Sequence, residues 1–237
     1  MADCGLYPGL IFAPPSVTIG AIVARFDLVI FDNDGVLVDS EGHANQILSD
    51  LLNESGWASG MTREESMEEF LGRSLPAIRQ RIEARLGHTL PVDFESRYHA
   101  RLFDVFDREL GAIPGVEAAL EQIRTPSCVA SSGSHARIRR ALAATGLLAR
   151  FEGRIFSAED VAHGKPAPDL FLHAASTLGV APARCAIVED SPLGVEAANA
   201  AGMVAFGFAR ATPPTLLSKA SGGIFSSMSD LPTLLGG

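Results

Sequence analysis

The chain has 237 residues, 47% hydrophobic and 20% charged, with 23 Gly and 14 Pro, which excludes both a minimal module and a disordered chain. At this length about 70% of the unfolded surface can be buried, so neither disulfides nor a structural metal is needed for folding. The 28 acidic against 19 basic residues give a net charge of −9 without any Lys/Arg block, so neither nucleic acid nor a membrane is expected as a partner. Cys4, Cys128 and Cys185 form no CxxC pair, and the last two lie in apolar runs that read as buried strands. That usage suits a reducing compartment and predicts a cytoplasmic protein.

Residues 1–24 are apolar, but Asp3 stands where a basic leader would begin and Pro14-Pro15 splits the run below bilayer-spanning length. They are expected to form a loosely ordered extension outside the fold. From Arg25 onward, strand-length apolar runs alternate with helical spacing. The strands are predicted at Phe26 to Phe31, Ser127 to Ala130, Arg154 to Ser157, Cys185 to Val188, Val204 to Phe208 and Ile224-Phe225. Between them Val116, Ala119, Leu120 and Ile123, then Ile138 with Leu142, then Leu170, Ala174 and Leu178 recur at helical intervals. Strand-helix alternation predicts an α/β fold, a doubly wound parallel sheet covered on both faces.

One stretch breaks the rhythm. Between Glu41 and Gly111 only amphipathic helices are predicted: Ile47/Leu51, a capping-box start at Thr62 and Glu65 running to Leu71, Leu75/Ile78/Ile82/Leu86, and Phe94/Tyr98/Leu102/Phe106/Leu110. The expected organisation is an α/β core from 25–40 and 112–237 with an all-helical cap, 41–111, inserted after the first strand. Because the sheet resumes afterwards, the ends of the insert must lie close together, with hinges near Ser40 to Gly42 and Gly111 to Pro114.

The polar residues gather where these strands end. Asp32 and Asp34, in FDLVIFDNDG, are two apart and project to one side of an extended chain, at the edge where open parallel sheets bind ligands. Such a carboxylate pair calls for a divalent cation or a raised pKa; a polar turn with Gly35 supplying the bend accounts for the same residues. Ser131-Ser132-Gly133-Ser134 runs into a helix, joining a hydroxyl to unpaired backbone N–H groups, either an anion site or an ordinary N-cap. Lys165 lies between a constraining pair of prolines, Pro166 and Pro168, and the glycine at 164. Glu189-Asp190-Ser191-Pro192 closes another strand and opens a helix. Each has an ordinary structural explanation alone. Together they deliver carboxylates, a hydroxyl with an amide nest, an ammonium and more carboxylates to one edge, and hard oxygen ligands beside Lys and a helix N-terminus suit Mg²⁺ and phosphate.

DNDGVLVDS, VASSGS, GKPAPD and VEDSPLGVEAANAAG resemble, in order and spacing, the motifs of the haloacid dehalogenase superfamily, in its β-phosphoglucomutase-like phosphatase subfamily. The resemblance runs from Arg25 to about Gly207 and implies a Rossmann-like core with a helical cap. It implies Asp32 as nucleophile forming an aspartyl-phosphate, and Asp34 as acid and base whose backbone carbonyl joins the metal site. It further implies Ser131 and Ser132 with the following amides on the phosphoryl oxygens, Lys165 pairing with nucleophile and phosphate, and Glu189 with Asp190 completing a Mg²⁺ site. Asp32 must then be ionised, and Asp34 needs a raised pKa to exchange a proton.

Within the superfamily, dehalogenases need no second Asp, and phosphonatases use a cap lysine that 41–111 lacks. β-Phosphoglucomutases usually carry a His at the position of Ala44; His43 lies one place earlier, which favours net hydrolysis over mutase chemistry. Candidate specificity residues are Arg73, in the Leu71-Gly72-Arg73-Ser74 turn, His43, and Arg137 as a supplement to the anion site. Trp57 is expected to pack within the cap. The expectation is a Mg²⁺-dependent phosphatase of a small sugar or sugar-acid phosphate, monomeric or weakly dimeric. The alternatives are a phosphomutase, a non-catalytic phospho-ligand-binding protein and a receiver-like phospho-acceptor, the last opposed by the cap and the DxD spacing.

Overall fold

The computed structural model describes residues 25–56 and 60–236; residues 1–24 and Trp57, about which the sequence raises expectations, lie outside the described residues. β1 (Leu28–Phe31) is followed by α1 (Glu41–Glu54), α2 (Arg63–Phe70), α3 (Leu75–Leu86) and α4 (Phe94–Glu109). Then come α5 (Val116–Gln122), β2 (Ser127–Ser131), α6 (His135–Ala144), α7 (Leu148–Phe151), β3 (Ile155–Ser157) and α8 (Asp169–Thr177). β4 (Cys185–Glu189), α9 (Pro192–Ala200), β5 (Val204–Phe208), β6 (Gly223–Phe225) and α10 (Leu231–Leu234) complete the order.

The six strands form one parallel sheet in the order β3-β2-β1-β4-β5-β6. The strand order reverses direction at β1, so the crevice at its carboxyl end, between β2 and β4, is where such a sheet takes a ligand. Alternation along the strands feeds two separate cores. Val29, Phe31, Val129, Ala186, Val188, Phe206 and Phe208 pack on one face, while Leu28, Ile30, Cys128, Ala130, Cys185, Ile187 and Ala205 pack on the other. Each fully buried Phe or Leu here contributes about 1.5–3 kcal/mol of transfer free energy.

The predicted strands are present, and their ends differ by a residue or two where the ladder runs out. Arg154, for instance, falls outside β3 although its carbonyl still accepts from Val129 N at 3.0 Å. Between β1 and β2 the described residues form a run of helices, α1 to α4, with no strand among them. Its entry and exit pair with each other: Val38 bridges Ala112, Asp39 N donates to Gly111 O at 2.9 Å, and Ile113 N donates to Leu37 O at 2.9 Å. α2 opens with the expected capping box, Thr62 N donating to Glu65 Oε2 at 2.9 Å and Glu65 N to Thr62 Oγ1 at 3.1 Å. The apolar stripes of α1 and α4, with Leu48, Leu51, Leu102 and Phe106, continue one of the two sheet cores, so the insert is seated on the α/β core. Among the described residues no helix is long and apolar enough to cross a membrane.

Candidate active site

Asp32 stands just beyond β1 and prolongs its ladder, its N–H donating to Val188 O at 2.9 Å. The chain then turns on Gly35, whose φ of 76° an L side chain rarely adopts, and a Cβ there would overlap the Asp190 carboxylate. Glycine thus lets the DNDG turn approach the end of β4. At the end of β2, Ser131 Oγ accepts from Gly133 N at 3.1 Å and donates to Asp34 Oδ2 at 3.4 Å. Ser134 caps α6, accepting from Arg137 N at 3.3 Å. The hydroxyl of Ser132 instead donates to Gly72 O at 3.1 Å, across to the helical insert.

Lys165 reaches in from the loop before α8 and is only 1% exposed. Its Nζ donates to Asp32 Oδ1 at 2.7 Å, Glu189 Oε1 at 2.5 Å and Ala130 O at 3.2 Å. Glu189 is held on its other oxygen as well, Oε2 accepting from Ser191 N at 3.0 Å and Ser191 Oγ at 2.9 Å. The same Ser191 Oγ caps α9 by accepting from Gly194 N at 3.0 Å. A Cβ on Gly194 would overlap the Glu189 carboxylate, so the helix start is shaped around that acid.

Oxygen atoms of Asp32, Glu189 and Asp190 all lie within 4.8 Å of one another, and all three residues are buried. Three carboxylates against the single ammonium of Lys165 leave uncompensated negative charge. Burial, then the neighbouring charge of Glu189 and Asp34, pushes Asp32 up to about 8 despite Lys165. Burial and the charges of Glu189, Glu41 and Asp32 raise Asp190 well above the ordinary range. An all-oxygen, charge-deficient cluster of this kind fits a hard divalent cation.

Asp34 shows the opposite behaviour. Burial raises its pKa, but the Arg137 guanidinium and hydrogen bonds from Ser40, Arg137 and Asn33 outweigh it and hold the carboxyl below its ordinary value. The sequence-based expectation was the reverse order, Asp34 raised and Asp32 ionised. Protein groups alone set the order differently because Arg137 sits on Asp34, at 2.7 Å from Oδ1, while Asp32 shares its lysine with Glu189. Arg137 accordingly pairs with Asp34 rather than standing free as part of an anion site.

Asp32, Asp34, Ser131, Ser132, Lys165, Glu189, Arg73 and Arg137 line one cavity of about 40 Å³ between the core and the insert. His43 does not line it; one place further along α1, the methyl of Ala44 does. Sequence reasoning missed Ser40, Glu41, Asn45 and Tyr98. Ser40 Oγ donates to Asp34 Oδ1. Glu41, pushed up to about 7 by burial and the Asp34 charge, accepts from Asn45 Nδ2 at 2.9 Å. The Tyr98 hydroxyl lies 3.4 Å from Arg137 Nη1. The sequence marked Tyr98 as an apolar-stripe residue of α4, and gave the others no signal beyond a helix start.

A family model for haloacid dehalogenase-like hydrolases matches residues 26–202. The chain is 33% identical over 216 residues to a 6-phosphogluconate phosphatase of Escherichia coli strain K12, covering 90% of this chain and 96% of that one. It is 34% identical over 202 residues to a β-phosphoglucomutase of Bacillus subtilis, covering 78% and 84%. Among solved structures, a conserved haloacid dehalogenase-like protein from Agrobacterium tumefaciens superposes with a TM-score of 0.75 at 37% identity, over 89% of this chain and 97% of that one. A hydrolase of the same family from Deinococcus radiodurans, with bound phosphate and sodium, gives 0.68 at 29% identity over 90% and 99%. The chain belongs to the haloacid dehalogenase-like hydrolases. Within that family it is a phosphoric monoester hydrolase, as its phosphatase relatives are.

Proposed function

We propose that the chain is a Mg²⁺-dependent phosphatase of a small sugar or sugar-acid phosphate, acting in the cytoplasm as a monomer or weak dimer through an aspartyl-phosphate on Asp32. The observation that carries this reading is the buried knot at the end of β1, where Lys165 Nζ lies 2.7 Å from Asp32 Oδ1 and Asp34 stands beside Ser131. Asp32, Asp190 and the Asp34 backbone carbonyl would hold the ion, with Glu189 in the same cluster and tied to Lys165. When bound, Mg²⁺ supplies charge neutralisation at the nucleophile and at a phosphoryl oxygen.

Lys165 screens the approach of one anion to another, and Ser131 with the amides before α6 orients the phosphoryl group for in-line attack. To give a proton to the leaving oxygen, Asp34 must first leave its pair with Arg137, which holds the carboxyl below its ordinary pKa; it then takes a proton from the water that hydrolyses the aspartyl-phosphate, work worth about 10²–10⁴ in rate. Residues 41–111 act as a cap over the core at 25–40 and 112–237, excluding bulk water during the first step. Arg73, on the cavity wall, contacts the leaving group. The name of the E. coli relative supports a sugar-acid phosphate, and a methyl rather than an imidazole at Ala44 favours hydrolysis over mutase chemistry.

Asp32→Asn is expected to abolish p-nitrophenyl phosphate hydrolysis without lowering the thermal midpoint; retained turnover would reject the assignment. A phosphate-release screen over several dozen metabolites, with and without Mg²⁺, identifies the substrate.

A further inference from the structure

The wall that α1 turns to the cavity is apolar except near the start of the helix. Ala44 and Leu48 line it, with Phe70 of α2 and Ile78 of α3 beside them, and the polar residues of α1 there are Glu41 and Asn45. Asn45 is fully engaged: its Nδ2 donates to Glu41 O at 3.0 Å and to Glu41 Oε2 at 2.9 Å, and its Oδ1 accepts from Ser66 Oγ of α2 at 2.9 Å. Glu41 is held on Oε2 alone. Its Oε1 has no hydrogen-bond partner among the described residues, so it is the polar atom that this wall leaves open.

The ordinary reason for an acid at this position does not explain the arrangement. An acid in the first turn of a helix complements the dipole from the surface, and that needs no buried chain to hold it. Here Ser66 and Asn45, 0% and 5% exposed, fix the carboxyl against the cavity. Polar groups set into a buried helix pair break the local pattern, and such breaks gather at functional sites. Ser40, the preceding residue, donates to Asp34 Oδ1 and ties the start of α1 to the DNDG turn. The Glu41 carboxyl lies within electrostatic reach of Asp34 and Arg137, at the phosphate end of the cavity. An acidic group beside a bound phosphate ester is repelled unless a hydroxyl of that ester stands against it and donates to the open oxygen.

We propose that Glu41 is a specificity residue: its Oε1 pairs with the hydroxyl on the carbon next to the ester carbon of the substrate. The site thereby selects phosphates of vicinal hydroxy-alcohols, sugars and sugar acids among them, over phosphates of simple alcohols. This deepens the phosphatase reading above and rests on it. It does not depend on the charge of the carboxyl, since a hydroxyl donates to an ionised carboxyl and accepts from a protonated one. Selection works through the group left over: an ester lacking the hydroxyl leaves Oε1 without a partner in the closed site.

The test uses two esters that differ by that one hydroxyl, 1,2-propanediol 1-phosphate and 1-propyl phosphate, assayed with Mg²⁺. The wild type is expected to favour the diol ester by about tenfold or more in kcat/KM. Glu41→Ala should lower kcat/KM on the diol ester about tenfold more than on propyl phosphate, bringing the preference to within about threefold. Asn45 keeps its bond to the backbone carbonyl of residue 41 in this variant. Glu41→Met, which retains the methylene packing, carries the same test if the alanine variant fails to fold. Equal losses on both esters, or an undiminished preference in the variant, overturn the assignment. So does a wild type that hydrolyses p-nitrophenyl phosphate yet does not favour the diol ester. Release of phosphate from none of the three esters would instead remove the phosphatase reading beneath it, so the two failures are distinct.

Discussion

Lys165 is the residue on which the site's charge balance turns. Burial disfavours its ammonium, yet Asp32 and Glu189 raise its pKa above the usual lysine value. Lys165→Met would leave those two carboxylates buried and unpaired, which costs about 3–5 kcal/mol of stability and about 10²–10³ in kcat. Urea unfolding and steady-state turnover check both; an unchanged unfolding midpoint would show that Lys165 does not neutralise the pair. Asp32, Asp34, Ser131, Lys165, Glu189 and Asp190 were legible in the sequence because each interrupts an apolar or proline-framed pattern at a strand end. Ser40 and Glu41 were not, since a Ser-Glu pair at a helix start already has a reason in capping and the helix dipole. Tyr98 was hidden by its periodicity, and the reversed order of the Asp32 and Asp34 pKa values by Arg137, whose reach across the cavity no local spacing encodes.

At the level of elements, the apolar runs fixed the strands and the insert because both depend on periodicity, while strand ends and the contact between insert and core depend on packing. Gly72 illustrates the second case. Its φ is 75°, and a Cβ there would sit 2.6 Å from Ser191 Oγ, so the turn between α2 and α3 comes down on the start of α9. Gly72→Ala is expected to cost about 1–2 kcal/mol from the left-handed backbone alone. By lifting the turn off Ser191 it should also lower kcat/KM about tenfold or more on a sugar phosphate. Wild-type kcat/KM in this variant would show that the turn does not close the site. His43 belongs here too: one step along α1 separates a side chain lining the cavity, Ala44, from one that does not.

For the whole molecule, the acidic cluster ties stability to pH and to metal. The folded-state pKa of Asp32 rises from 3.8 to about 8, and that of Asp190 moves the same way. The folded metal-free protein thus keeps protons the unfolded chain has released. Their contribution to stability is full below the ordinary carboxylate pKa and is lost as pH rises to about 8. Asp34, depressed by Arg137, contributes the opposite way, its stabilisation lost in acid. Because a divalent ion replaces those protons, the rise in thermal midpoint given by saturating Mg²⁺ over chelator should be larger at about pH 8 than at about pH 6. An equal rise at both would place the ion elsewhere. The central claim, phosphoryl transfer to Asp32, is tested most directly by quenching the enzyme during turnover with borohydride, which reduces an acyl phosphate to the alcohol, and sequencing the peptides by mass spectrometry. Homoserine is expected at position 32 and only during turnover; its absence there while substrate is being hydrolysed, or its appearance at another carboxylate, would contradict the mechanism.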